Sequence, residues 1–427
     1  MKQSLILAWL SATNIVLGLF IQWYVITTLG VGIETDALFA GMVLPQLILA
    51  LFSTSLTYVL VPILAIEDEE SFRRDAWAFF LSITGFATAL SLVLYVTAQW
   101  WVPLLVPGFS AAGRALTVEL TRIQLATLIF TAAASVLWSV YGARQKFIWT
   151  EASALAANVA GVLLLVWMLP RYGIRAAAWA MVLRTGLQLA CLLPGLGRRP
   201  ALSWKSRAQT EAWRRIKPIL LGTIYFKTDP LFDRFLASMA PAGSLSLLYI
   251  GQQIYGAAGQ IINKAIAAPM VPLLAIQAKA GDWQTFKRTY RRRLAAISAL
   301  TLSAYLALLL LGRPSLRFLI GHGGITEENV SLLWWIMLAL WGVLLGGALG
   351  QVTSLAFYAL GDTRTPTRLG IWTYTVYIPA KILVFIYYGL TGMAVSISIY
   401  VALNFILQLI LLENSLPVGK AGRHECT

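Results

Sequence analysis

Leu5–Leu29 reads LILAWLSATNIVLGLFIQWYVITTL and contains no charged residue. A helix needs about 20 apolar residues to cross a bilayer, so this stretch is long enough to span one. Similar runs recur almost end to end, separated by short polar breaks, and leave no room for a separate soluble domain. Of 427 residues, 59% are hydrophobic and only 12% charged, with a mean hydropathy of +0.74. A water-soluble domain carries about 25% charged residues, so the expected solvent is lipid. The first run is too long for a secretory signal peptide and has no small-residue cleavage site behind it.

The apolar runs and their breaks predict an all-α polytopic membrane protein of about 12 transmembrane helices. The expected spans are 5–29, 36–65, 76–101, 115–142, 149–169, 174–194, 213–240, 244–275, 291–312, 327–360, 366–390 and 391–412. A net charge of +15 raises the question of nucleic acid, but the basic residues sit between spans rather than in a readable motif. With the amino terminus in the cytoplasm, that side collects Arg73-Arg74, Arg198-Arg199, Arg214-Arg215 and Arg291-Arg292-Arg293. The opposite side keeps Arg114, Arg171, Arg175, Arg313 and Arg317. The bias places both termini in the cytoplasm and agrees with an even number of spans.

An internal repeat sets the domain plan. Val61-Pro62-Ile63-Leu64-Ala65-Ile66 ends the second span, and Val271-Pro272-Leu273-Leu274-Ala275-Ile276 ends the eighth. Gly41 meets Gly251 at the same offset, and Ser71-Phe72-Arg73-Arg74 is followed four residues out of step by Thr285-Phe286-Lys287-Arg288. Equivalent spans six apart share an orientation, which implies two six-helix bundles related by a pseudo-two-fold axis along the membrane normal. The expected domains are 1–197, a basic cytoplasmic linker over 198–212, and 213–427.

Charges within spans are expensive and mark cavities or partners. The seventh span holds Lys227, Asp229, Asp233 and Arg234, with the two acids one turn apart. These four either neutralise one another or face a path. Lys264 in the eighth span has no acid within a turn, and Lys381 and Arg184 raise the same question, so the three are candidate cations for a pyrophosphate. Asp36 opens the second span, where it can complement the positive end of its own helix. Arg122 has Glu119 as a one-turn neighbour. Pro45 and Pro230 lie inside expected spans. Gly361 and Pro366 belong to a turn expected to act as a hinge, the proline restarting the helix in its first turn. Enzymatic readings have little support: His322 and His424 are the only histidines, Cys191 and Cys426 the only cysteines, and no nucleophile, nucleotide or metal-ligand spacing accompanies them. No cofactor or metal is expected.

Thr35-Asp36-Ala37-Leu38-Phe39-Ala40, followed by Leu44-Pro45 and Val61-Pro62-Ile63-Leu64, resembles the second helix of the MurJ/MviN lipid II flippases. Val106-Pro107-Gly108-Phe109, then Ala237-Ser238, Ala242-Gly243-Ser244 and Leu248-Tyr249, and finally Phe357-Tyr358-Ala359 with Gly361-Asp362 and Thr365-Pro366, resemble later parts of that family in order. The resemblance implies the V-shaped fold of the multidrug/oligosaccharidyl-lipid/polysaccharide exporter superfamily. It also implies a cargo of undecaprenyl-pyrophosphate-linked sugar, moved to the outer leaflet of the bacterial inner membrane for peptidoglycan or another wall or surface glycan.

The sequence departs from the family's pattern. Arginines expected in the first two spans are absent, Leu47 to Leu51 standing at the second position, and Ile250-Gly251-Gln252 replaces an Ala-Asp-Arg triplet. Only Asp36 carries over among the charged cavity residues, with Gln252 as the polar remnant of the triplet. The family commonly has fourteen helices against about twelve here, which favours a specialised relative serving exopolysaccharide assembly. The alternatives are a small-molecule or drug exporter of the same superfamily, and a non-transporting scaffold that recruits glycosyltransferases or a polymerase.

Overall fold

The computed structural model describes residues 2–65, 68–197, 207–263 and 270–416. Among them there is no strand, and fourteen α-helices follow in order: α1 Lys2–Leu29, α2 Ile33–Gly41, α3 Val43–Leu64, α4 Glu69–Leu105, α5 Ala111–Ala143, α6 Phe147–Tyr172, α7 Ile174–Leu192, α8 Arg207–Lys227, α9 Asp229–Ala237, α10 Ser244–Ile262, α11 Met270–Lys279, α12 Trp283–Ile320, α13 Glu327–Ala359 and α14 Arg364–Ser415. Nine helices among the described residues are long and apolar enough to cross a membrane. Large apolar side chains stay exposed along them, Leu92, Val96, Leu310, Phe318 and Tyr387 among them, as helices bathed in lipid require. The protein is an all-α polytopic membrane protein.

Uninterrupted spans differ from the twelve expected because two expected spans are divided, two are joined and one is described only in part. The second becomes α2 and α3, parted at Met42. Pro45 accounts for this: it has no N–H to donate and its ring opposes the carbonyl of Gly41, four residues back. The seventh becomes α8 and α9, and Pro230, expected inside a helix, instead stands in the first turn of α9, where a missing N–H costs nothing. Of the eighth, α10 and α11 are described, and 264–269 between them lie outside the described residues. The last two run together as α14, broken only at Gly389, whose φ of 62° and ψ of −151° are open to glycine alone.

The chain packs as two compact units, Met1–Ser246 with His322–Ile325, and Leu247–Gly321 with Thr326–Thr427. In the first, α5 packs against α3, α4 and α7, α6 against α1 and α7, and Leu60, Leu64, Val136, Leu137 and Val140 fill one core. The helices α8 and α9 pack in this unit too, against α3 and α4. Of the expected linker, 198–206 lie outside the described residues and Arg207 onwards is helical. In the second unit α13 packs against α11, α12 and α14, with Ile336, Leu340, Val352, Phe357 and Met393 buried.

The sequence repeat reappears in backbone detail. Asp68 caps α4 by accepting from the Ser71 N–H at 3.3 Å, and Asp282 caps α12 by accepting from the Thr285 N–H at 3.0 Å. Ser110 caps α5 and Thr326 caps α13 through the N–H groups of Gly113 and Asn329. These two helices are each 33 residues long. After α6, Gly173 adopts φ 61°, ψ −150°, the same conformation that Gly389 adopts within α14 216 positions later.

Candidate functional site

Asp36 is the best-defined polar centre of the first unit. Its carboxylate is buried, 1% exposed. Oδ2 accepts from the Gly243 N–H at 2.6 Å, and Oδ1 accepts from the Ser246 N–H at 2.7 Å and the Ser246 hydroxyl at 2.6 Å. Three short bonds satisfy a charge that would otherwise be costly to bury. The helix that Asp36 complements is thus α10, at its first turn, where free N–H groups and the macrodipole attract an anion. Gly243 permits this approach: its φ is +91°, and a Cβ there would lie 2.5 Å from Val31 Cγ1. Asp36 and Ser246 are separated by the offset that relates Gly41 to Gly251 and Val61 to Val271, so the bond joins equivalent positions of the repeat.

The cluster expected in the seventh span is divided by the break at Thr228. Lys227 ends α8 and is exposed, Asp229 opens α9 half-buried, and Asp233 and Arg234 are both buried, each 3% exposed, on α9.

Arg184 on α7 is half-buried and heads a chain of hydrogen bonds. Its guanidinium donates to Asn158 Oδ1 at 2.7 Å, Asn158 Nδ2 donates to Asn14 Oδ1 at 3.0 Å, and Asn14 Nδ2 donates to Glu151 Oε2 at 3.1 Å. The chain ties α1, α6 and α7 together, and every member points its donor the same way, from guanidinium to carboxylate. The Arg184 stem lies along Gly161, where an added Cβ would come within 3.0 Å of Arg184 Cδ. Asn14, Glu151 and Asn158 went unremarked in the sequence, although an amide or carboxylate within an apolar span is itself a signal.

Lys381, in the second unit, is fully buried. Its ammonium sits 5.1 Å from the centroid of Tyr377, which stacks on Tyr400 at 4.2 Å, with Tyr374 at 6.1 Å from both. Cation and aromatic faces are an arrangement suited to low dielectric. Gln252 is half-buried on α10, and Lys264 lies outside the described residues. Pro45 stands in the first turn of α3 and Pro366 in the first turn of α14. Gly361, φ 78°, ends α13 in a Schellman turn, with the Asp362 N–H donating to the Phe357 carbonyl at 3.0 Å.

Arg122 does not pair with Glu119. Glu119 is held instead by Arg175 at 2.6 and 3.0 Å, and Arg122 donates to the Tyr95 carbonyl and covers its ring. A neighbour across α7 offered Glu119 a two-pronged bond that a one-turn neighbour cannot match. Among the described residues no group of three or more His, Cys, Asp or Glu is placed to hold a metal ion.

Known proteins give the same picture. The chain is 25% identical over 429 residues to the probable lipid II flippase MurJ of Vibrio cholerae, covering 95% of this chain and 82% of that protein. It is 23% identical over 412 residues to the lipid II flippase MurJ of Burkholderia cenocepacia, covering 92% and 80%. Among solved structures, the inward closed conformation of lipid II flippase MurJ superposes with a TM-score of 0.83 at 17% identity, covering 96% of this chain and 87% of that one. An inward-facing multidrug resistance MATE transporter superposes at 0.76 and 15% identity, covering 96% and 94%. The model of the family described as lipid II flippase MurJ matches residues 25–425, nearly the whole chain, and the chain belongs to that family.

Proposed function

We propose that the chain flips an undecaprenyl-pyrophosphate-linked sugar precursor across the bacterial inner membrane by alternating access, as a carrier and not an enzyme. The cargo is either lipid II-like or the repeat unit of an exopolysaccharide. The observation that supports this most is the family match over 25–425, joined to a buried Asp36 that latches α2 to the first turn of α10. A carrier must open and close. In this reading the two repeats are six-helix bundles that rock, both termini stay in the cytoplasm, and the three bonds of Asp36 must part for α10 to move. Lys264 and Lys381 are the cations we assign to the pyrophosphate, with Arg184 and Gln252 in support, Lys227 to Arg234 lining the path, and Pro45, Gly361 and Pro366 at the bends. Its basic loops would meet glycosyltransferases or a polymerase.

Depleting the resident lipid II flippase of a host that expresses this chain separates the two cargoes. Restored growth identifies a lipid II-like cargo. Failed growth, with loss of a surface glycan when the gene is deleted from its own host, identifies an exopolysaccharide unit. Failed growth together with an intact set of surface glycans contradicts the proposal and leaves a small-molecule exporter of the MATE kind.

A further inference from the structure

The turn Tyr141-Gly142-Ala143-Arg144-Gln145-Lys146 joins α5 to α6, and Phe357-Tyr358-Ala359-Leu360-Gly361-Asp362 joins α13 to α14. Their backbones match. The Lys146 N–H donates to the Tyr141 carbonyl at 2.9 Å and the Asp362 N–H to the Phe357 carbonyl at 3.0 Å, while Gln145 and Gly361 donate to Gly142 and Tyr358, each at 3.0 Å. Their side chains differ. In the second unit glycine takes the left-handed position, and the Asp362 carboxylate accepts from the N–H groups of Arg364 and Thr365, each at 3.0 Å, at the positive end of α14. In the first unit Gln145 takes that position at φ 55°, the one non-glycine residue with positive φ among those described. Lys146 stands at the N-cap of α6 with no side-chain capping bond, a cation beside a helix end that repels it.

A cavity of about 580 Å³ lies over this turn, lined by Gln3 and Leu7 of α1, by Arg144, Gln145 and Lys146, and by Trp149 of α6. Among the described residues no Asp or Glu lines it. Arg144 is held from outside the lining, by Glu69 at 2.6 Å and over the Phe72 ring at 4.2 Å, and Lys146 is exposed. Two cations therefore face one cavity, and none of the described residues on its wall supplies a counter-charge. The amino-terminal ends of α1 and α6 add their own positive potential.

The position decides what kind of anion fits. The cavity sits where three spanning helices begin or end, at the membrane boundary. Beside it Ile6 and Trp9 of α1, and Ile148 and Trp149 of α6, expose apolar surface, and the Trp149 indole N–H is anchored on the Cys191 carbonyl at 3.1 Å. Aromatic and apolar neighbours of a basic pocket at this depth suit a lipid better than a free anion. We infer that this cavity binds the phosphodiester headgroup of an anionic phospholipid, its phosphate between Arg144 and Lys146 and its chains along the exposed faces of α1 and α6.

Transplanting the second unit's residues tests this without removing a structural feature. The variant Gln145→Gly/Lys146→Asp should fold, because the chain already builds the same turn with Gly361 and Asp362. Thermal unfolding of the purified full chain in detergent is followed with added phosphatidylglycerol, phosphatidylcholine or inorganic phosphate, and native mass spectrometry counts retained lipid. Phosphatidylglycerol should raise the unfolding temperature of the wild type and of Lys146→Arg, and bind the double variant roughly tenfold or more weakly. Lys146→Gln, which keeps Gln145, should fall between. Equal phosphatidylglycerol affinity in wild type and both charge-removing variants overturns the proposal. So does inorganic phosphate or phosphatidylcholine matching phosphatidylglycerol on the wild type.

Discussion

The pair α6 and α7 in the first unit and the two arms of α14 in the second share a frame and differ in what fills it. Each pair turns on a glycine in the same conformation, Gly173 and Gly389. Positions 216 residues apart then carry unlike chemistry: Asn158, Gly161 and Arg184 in one, Tyr374, Tyr377 and Tyr400 in the other. The first unit meets the half-buried Arg184 with amides and an acid, the second sets buried Lys381 over the ring of Tyr377. Packing has exchanged sides as well. In the second unit Gly342 and Gly346 of α13 let α14 come so close that Cβ atoms there would lie 2.6 Å from Ser398 and 2.8 Å from Ala402, as small residues allow in membranes. In the first, Phe130 of α5 stands where Gly346 does, and Gly186 makes room for its ring. Backbone geometry is thus the conserved half of the repeat, and side-chain chemistry is free to diverge provided each buried polar group finds a partner.

Forcing the first unit's solution onto the second should have the largest effect. Gly346→Phe drives a ring into the α14 backbone and should cost more than about 3 kcal/mol or prevent accumulation, whereas Gly186→Ala, whose Cβ would meet only the Phe130 ring at 3.4 Å, should stay within about 0.5 kcal/mol. Denaturant unfolding in micelles measures both, and equal costs would mean that the two interfaces are not packed as described.

Next in size is the chemistry. Asn158→Leu takes the acceptor from Arg184 and the donor from Asn14, and should destabilise by about 1–3 kcal/mol. Tyr377→Leu removes the face between Lys381 and Tyr400 and should cost about 1–2 kcal/mol. The effects should add in the double variant, since each belongs to its own unit; strong coupling would contradict the separation of the two clusters.

Gly173→Ala and Gly389→Ala sharpen the shared half of the comparison. Neither added Cβ meets anything within 4 Å, so the penalty is backbone strain alone, about 1–3 kcal/mol and alike at both sites. A large inequality in unfolding midpoints would show that the frames differ.

The smallest effect is on pH. Asp68 and Asp282 have their carboxyl groups held below the usual range by the hydrogen bonds of Ser71 and Thr285. A depressed folded pKa contributes stability that is present above the ordinary carboxylate value and lost as pH falls through the lowered one. Amide exchange at the starts of α4 and α12 should therefore accelerate together on acidification toward pH 3, and not in Asp68→Asn or Asp282→Asn, which should differ from wild type only above that range.

Much of this architecture could be read from the residues. Val61-Pro62 with Val271-Pro272 and Ser71-Phe72 with Thr285-Phe286 announced the repeat, because caps and helix ends are local and leave a sequence trace. The resemblance around Asp36 pointed to the right family, and Asp36 proved to be the best-satisfied buried charge. Its partner was not legible, since Ser246 lies 210 residues away and nothing in a lone serine marks it as a donor. The Arg184 chain was half visible: the charge stood out, but the amides that receive it did not. The breaks at Met42 and Thr228 were hidden because Pro45 and Pro230 look like kinks within one span until the first turn of a new helix is seen around them. The tyrosines beside Lys381 carried no signal in the sequence, since their convergence depends on two helix arms meeting at Gly389.

Flipping of a fluorescent undecaprenyl-pyrophosphate oligosaccharide in proteoliposomes bears most directly on what this protein does. The full chain should transfer the lipid between leaflets, and Asp36→Ala, which strips the acceptor from Gly243 and Ser246, should lose that transfer while remaining inserted. A folded, inserted wild type that moves none of several headgroups on this carrier would contradict the account.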